Sequence, residues 1–573
     1  VTFLAVNRSL IINIMKHKLY IALLATLLII PWLGLKQFHS RGEAREALVA
    51  QSMALSSNYI LPESYSGLVP SKPPMLHWLI NISAKVTGDL NEFAVRFPVA
   101  FASIIFVFYF TLYLQSLGKN IYLIAPLILI TSVQWFRHSN TSRVDMLLSV
   151  GSVIAILDLY KWRTINLCKG IPWLSLFGLV TAVYSKGPVG LVLPMGVFSL
   201  WSLIEKDSIK KVFIRSVLIS TPVILIGTIW YFLAYQQAGQ AFIDKFWYEN
   251  AQRLAGTMSD EPHKGTIFYL YASIFWSMLP WSLFWIQPIY LWLKSASRID
   301  ALKNKLRIIW SSSSFDRYLI IWILIFVLFY SIPESKRDVY LLPIMPAISI
   351  LISNYLLNSS AIKLKNIAYI FNFLLLFLIG VIVILTTLVI FAPNYHQLFL
   401  HVDKHFLPAI AYYISSHYWV LGVLAVVLAV AYRLFTLLDA SAEQKLISKV
   451  IVQFILVLII VQAIFTPAIG NSISYKNFAV ESKDYVVNDQ KLYSYNDAFY
   501  GLSFYLQKKF YEIDADQNQN IDIGKYYLFE NNFDALQKAL KAGQCLRTLM
   551  RSTKPMVDPK RFVLLLEVYN CGN

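Results

Sequence analysis

The residues able to do chemistry fall in a few short clusters separated by long apolar blocks. Arg41-Gly42-Glu43-Ala44-Arg45-Glu46 comes first, followed by Pro70-Ser71-Lys72-Pro73-Pro74. Arg137, His138, Arg143 and Asp145 form a third group, and Ser185-Lys186-Gly187-Pro188 a fourth. Further along lie Glu261-Pro262-His263-Lys264-Gly265 and Ser335-Lys336-Arg337-Asp338, the latter running into Tyr340-Leu341-Leu342-Pro343. Two kinds of group recur: isolated carboxylates (Glu43, Asp145) and cations in tight turns (Lys72, Lys186, Lys264, Lys336, Arg337). Cations beside an apolar groove suit a lipid-linked phosphate, because Lys and Arg pair strongly with phosphate oxygens. Carboxylates beside them suit proton removal from an attacking hydroxyl, or the binding of a sugar hydroxyl.

The elements that must position these clusters are membrane spans. Of the 573 residues, 57% are apolar and only 14% charged, against about 25% charged in ordinary soluble domains. That is too little charge to cover a soluble surface, which excludes a soluble globular enzyme. Blocks such as Leu19 to Leu35, Val217 to Tyr235 and Ile367 to Phe391 match the roughly 17–25 residues that cross a bilayer as a helix. Counting such blocks predicts a polytopic α-helical membrane protein with about 13 spans. They start near Leu19, Phe97, Ile121, Met146, Ile171, Val189, Val217, Ile267, Tyr318, Tyr340, Ile367, Phe406 and Val450, and several, notably Ile171 to Val183, are short.

Lys and Arg are concentrated in alternate connections, which places the N-terminus in the cytoplasm. Every chemical cluster then falls on the opposite, outer side, in loops at about 36–96, 135–145, 184–188, 236–266 and 333–339. In the first of these, Ala47, Leu48, Ala50, Met53 and Leu55 suggest a helix lying along the interface. The net charge of +18 is spread over loops that orient the chain and meet anionic lipid, so no nucleic-acid partner is expected.

The chain divides into a transmembrane part, 1–468, and an outer segment, 469–573, rich in Asn, Asp, Lys and Tyr. The latter reads as a small soluble α/β domain, with strand material at Ser494–Tyr505 and Arg561–Tyr569 and a helix at Asn532–Ala542. An oxidising exterior would permit a Cys545–Cys571 disulfide.

Seven motifs occur in order. They are Gly42–Arg45 (Gly-Glu-Ala-Arg), Lys72–Leu79 (Lys-Pro-Pro-x-x-x-Trp-Leu), Glu92–Pro98 (Glu-Phe-Ala-Val-Arg-Phe-Pro), Arg143–Asp145, Ser185–Val189, His263–Gly265 and Ser335–Pro343. Together they resemble the superfamily of the aminoarabinose transferase (ArnT) and protein O-mannosyltransferases, integral-membrane glycosyltransferases of the GT-C fold. The resemblance implies transfer of a sugar from a polyprenyl (undecaprenyl) phosphate carrier to a periplasmic acceptor at the bacterial inner membrane, with inversion. Lipid A or another lipopolysaccharide component leads as acceptor, because the whole architecture resembles the lipid A transferase.

By this resemblance Glu43 occupies the acidic pair of the first loop, where the family has Asp-Glu and this chain has Gly42-Glu43. The acidic group is then Glu43 alone, or Glu46 shares the site, with Asp145 as a second carboxylate. Lys72, Lys336 and Arg337 are the candidates for phosphate, followed by Lys186 and Lys264, while Arg45, Tyr340 and His263 complete the candidate set. The family's metal-binding Glu is Ser71 here, so no metal or other cofactor is expected. Rival readings are a protein O-glycosyltransferase of the same fold, a transporter, and a non-catalytic glycan-assembly subunit. A transporter predicts an internal repeat and ionisable groups at the bilayer midplane. The sequence shows no such repeat and gathers its charges at one surface.

Overall fold

The computed structural model describes residues 18–62, 70, 72–252, 265–285, 313–357, 442–489, 491–514, 521–553, 555–556 and 561–571, with Phe373, Phe377, Tyr413 and Trp419. The spans expected from near Ile367 and Phe406 lie outside the described residues apart from those four.

The membrane part opens with α1 (Lys18–Trp32), followed by two helices of the first long loop, α2 (Arg41–Ser56) and α3 (Met75–Thr87). Next come α4 (Glu92–Ser116), α5 (Ile124–Thr131), α6 (Val133–Ser139), α7 (Val144–Thr164) and α8 (Trp173–Lys186). The bundle continues through α9 (Val189–Ile204), α10 (Ile209–Trp247), α11 (Ile267–Ser277), α12 (Ser314–Ser331) and α13 (Met345–Leu357), and α14 (Ala442–Ile460) leads out of it.

Among the described residues, five helical segments are long and apolar enough to cross a membrane, and two shorter apolar helices accompany them. Thirteen full spans are therefore not seen among the described residues. The block starting at Ile121 is broken at Ser132, whose backbone is extended between α5 and α6. Thr131 and Ser132 turn their hydroxyls back onto the carbonyls of Leu127 and Leu129, the local bonding by which such residues interrupt helices. Trp281 Nε1 then donates to Thr131 Oγ1 at 3.0 Å, and the Val133 amide to the Leu279 carbonyl at 3.0 Å. The block at Ile171 is the 14-residue α8, packed most heavily against α7.

That packing depends on small residues. A Cβ at Gly151 would lie 2.5 Å from the Gly178 carbonyl, and one at Gly190 2.5 Å from the Ala182 backbone. Such close approach is how helices associate where no hydrophobic force separates helix from lipid. The antiparallel pair then sets the first turn of α7 beside the last turn of α8. By contrast, α10 shows Ile214, Leu218, Leu225, Ile229 and Phe232 on its surface, the look of a lipid-facing span.

Charges in alternate connections separate to the two ends of the bundle. At one end Arg163 and Arg215 share Asp207, at 2.8 and 2.7 Å, and Arg317 pairs with Glu205 at 2.7 Å. The other end carries α2, α3 and the clusters singled out above.

After α14 come α15 (Thr466–Ser472) and α16 (Lys476–Val486). A mixed five-stranded sheet follows, with β1 (Leu492–Tyr495), β2 (Phe510–Ile513), β3 (Gly524–Phe529), β4 (Gln544–Arg551) and β5 (Val563–Asn570) in the order β2-β1-β3-β5-β4. β1 is parallel to β2 and β3, while β5 is antiparallel to β3 and β4. α17 (Tyr500–Leu506) and α18 (Phe533–Lys538) complete this unit, and Cys545 and Cys571 are bridged. Strand at Ser494–Tyr505 is corrected: only its start is strand, and Tyr500–Leu506 is a helix because it packs on α2. This unit is tied to the bundle by Arg41–Asp497 at 2.5 Å, Lys476–Glu92 at 2.9 Å and the Tyr505 hydroxyl on Glu92 at 3.0 Å.

Candidate functional site

Helix α2 delivers both carboxylates of the first cluster, in opposite circumstances. Glu43 is fully buried. Arg96 of α4 grips both its oxygens, through Nε at 2.7 Å and Nη2 at 2.9 Å, and the Ser142 amide donates to Oε1 at 3.1 Å. Arg96 Nη1 also donates to the Leu33 and Lys36 carbonyls, both at 2.5 Å. Burial would raise the Glu43 carboxyl, but Arg96 and Lys36 hold it well below the usual carboxylate range. A group so enclosed and so weakly basic does not fit the role of base or acceptor contact that the sequence suggests. Glu43 instead joins the end of α1, α2, α4 and the start of α7.

Three residues on, Glu46 meets His77 of α3, with Oε2 2.9 Å from Nε2, and Arg45 donates to its other oxygen at 3.0 Å. Burial pushes this carboxyl up, but Arg45, His77 and Lys72 outweigh it and keep Glu46 ionised. Lys72 lies within electrostatic range of Arg45, Glu46, Lys186 and Asp145, and burial with the nearby cations brings it down to about 8. Asp145, in the first turn of α7, forms an ion pair with Lys186 at the end of α8, as the glycine seam dictates. Lys186 Nζ sits 4.5 Å from the Tyr340 ring centroid, which stacks on Tyr330. Arg143 lies in electrostatic range of Arg337, Asp145, Glu46 and Arg45. Its guanidinium rests against Gly42, where a side chain would otherwise stand.

The structure therefore brings together Arg45, Glu46, Lys72, Asp145, Lys186, Arg337 and Tyr340. It sets Lys336 apart: the ammonium is buried and donates to the Ser331 carbonyl at 2.8 Å and to that of Pro333, capping α12. These bonds tie Lys336 to the end of α12. His263 and Lys264 lie outside the described residues. Among the described residues no group of three or more His, Cys, Asp or Glu could hold a metal. Ser71 offers no carboxylate, so the residues present do not fit the metal that the resemblance implies. Sequence reasoning gave no role to Arg96, Arg143 or His77, although all three sit inside the quoted motifs. A separate cleft of about 460 Å³ opens between α2 and α17, lined by Gln51, Ser52, Asn58, Ser503, Gln507 and Lys508 among others.

Residues 71–232 match a family model described as dolichyl-phosphate-mannose-protein mannosyltransferase. The crystal structure of ArnT from Cupriavidus metallidurans bound to undecaprenyl phosphate shares the fold, with a TM-score of 0.67 at 18% identity over 96% of this chain and 97% of that one. An undecaprenyl phosphate-alpha-4-amino-4-deoxy-L-arabinose arabinosyl transferase of Erwinia tasmaniensis is 24% identical over 388 residues, 66% of each chain. The chain has the fold of ArnT, and over residues 71–232 it is similar to the protein mannosyltransferase family. An uncharacterized Aquifex aeolicus protein is 28% identical over 62% of this chain and 67% of its own length. The chain spans just under two thirds of the named arabinosyl transferases it matches. The shared fold and the apolar helices are those of a multi-pass membrane protein.

Proposed function

We propose that the chain transfers a sugar from a polyprenyl phosphate, of the undecaprenyl kind, to an acceptor on the periplasmic side of the inner membrane, by inverting displacement. One observation carries the reading. Lys72, Lys186, Asp145, Glu46 and Arg143, drawn from separate elements, share one charged cluster at one end of an apolar bundle. As the bond between the sugar and its phosphate breaks, negative charge grows on the phosphate oxygen. Preorganised cations in a low-dielectric site stabilise that charge. Lys72 and Lys186 are the first candidates for this contact, with Arg337 and Lys264 behind them. Asp145 holds Lys186 in place and can receive a sugar hydroxyl, while Glu43 acts through the framework it joins.

The proposed orientation has the N-terminus in the cytoplasm and residues 469–573 in the periplasm, and the Cys545–Cys571 bridge suits that oxidising compartment. Lipid A or another lipopolysaccharide component is the proposed acceptor, from the names of the relatives; protein hydroxyls are second. Mass spectrometry of lipid A and glycoproteins from cells with and without the gene tests this reading. A gene-dependent increment of one sugar on lipid A is expected. Identical acceptor masses in both strains would overturn it.

A further inference from the structure

His77 was not among the groups that the sequence offered, yet its surroundings are those of a working base. It stands in the first turn of α3, five residues after Lys72, and both it and Glu46 are only 6% exposed. The ionised Glu46 carboxylate can only accept a hydrogen bond, so the 2.9 Å contact puts the ring proton on Nε2. Nδ1 is left with a lone pair, buried, and among the described residues it has no hydrogen-bond partner. A buried polar atom without a partner is costly, and in native proteins it calls for an explanation such as catalysis. A carboxylate fixing one ring nitrogen so that the other can take a proton is the arrangement of a general base.

We propose that His77, held by Glu46, is the proton acceptor of the transfer, and that the acceptor attacks through a hydroxyl group. The inference rests on the transferase reading above. The hydroxyl oxygen forms its bond to the anomeric carbon as its proton passes to His77 Nδ1. The bond from that carbon to the phosphate oxygen breaks, and its electron pair stays on the phosphate beside Lys72. The imidazolium pairs with Glu46 until it returns its proton to solvent. A phosphate acceptor, already ionised, would need no base. Asp145 is less suited, because Lys186 engages it.

The test uses membranes of the native strain, with the gene carrying single substitutions and the strain's own undecaprenyl phosphate-linked sugars as donor. Gene-dependent sugar addition is followed by mass, per folded molecule, across pH. The charged groups on elements packed against α3 are Arg41, Glu43, Arg45 and Glu46 on α2, Glu92 and Arg96 on α4, Asp145, Asp158, Lys161 and Arg163 on α7 and Lys186 on α8, with Lys72 in the preceding turn. His77→Asn and His77→Phe are expected to lower the rate by about a hundredfold or more. His77→Asn is expected to lower kcat while keeping the wild-type melting temperature and donor KM, which loss of packing alone would not do. Glu46→Gln gives a smaller loss. Wild-type rates in His77→Asn, with Lys72→Ala inactive, would overturn the role of His77 and leave the transferase reading standing. Absence of gene-dependent transfer in the wild type would overturn both.

Discussion

Glu43 and Glu46 sit on one helix, three residues apart and both buried, yet they are different kinds of carboxylate. Around Glu43 every polar valence is filled: two nitrogens of Arg96 and a backbone amide, with Lys36 at 3.9 Å. Around Glu46 the bonding stops short: among the described residues its partner His77 keeps a bare ring nitrogen, and Lys72 lies within electrostatic range. Burial by itself does not mark a functional carboxylate. A buried ion pair with all its bonds made is a joint between elements, and losing one member strands the other. A buried pair left incomplete is where a substrate can finish the bonding.

The contrast can be broken at each side. Arg96→Ala leaves Glu43 charged and buried with only Lys36 and the Ser142 amide beside it, and should cost about 3–5 kcal/mol; a drop in melting temperature of the detergent-solubilised protein would show it. An Arg96→Ala protein as stable as wild type would deny the joint. Lys72→Ala should instead leave melting unchanged and lower transfer by about a hundredfold, the order seen when one charge-stabilising donor is removed. Lys72 loses its proton as pH rises through about 8, so donor binding should weaken above that pH. Lys72→Arg, whose guanidinium stays charged, should flatten this limb when donor KM is measured against pH. A smaller effect is expected at the seam between α7 and α8. Gly151→Val forces those helices apart at about 1–3 kcal/mol, and through the Asp145–Lys186 pair it should slow transfer as well as lower stability.

Much of this arrangement was legible from sequence, and the reasons for the rest are local. Lys72, Asp145 and Lys186 stood out because a charge at the edge of an apolar block has few innocent explanations. Gly151 and Gly178 lie in spans where glycine is common, and nothing in either span alone shows that they face each other. Glu43–Arg96 escaped because its members are 53 residues apart. His77 escaped because it lies between Leu76 and Trp78 and finds Glu46 only when α2 and α3 pack. The signal was available in its spacing from Lys72, within the Lys-Pro-Pro motif. Tyr500–Leu506, with its three aromatic residues, reads as strand by composition, and contact with α2 makes it a helix. The break at Ser132 depends on hydroxyls competing for helix carbonyls, an effect that hydropathy does not register.

The most direct test compares Glu43→Gln with Glu46→Gln, recording melting temperature and sugar transfer per folded molecule for each. Glu43→Gln should melt earlier while each folded molecule transfers within a few-fold of wild type. Glu46→Gln should keep the wild-type melting temperature and lose most of its transfer. The reverse pattern, a stable but inactive Glu43→Gln beside an active Glu46→Gln, would contradict the account.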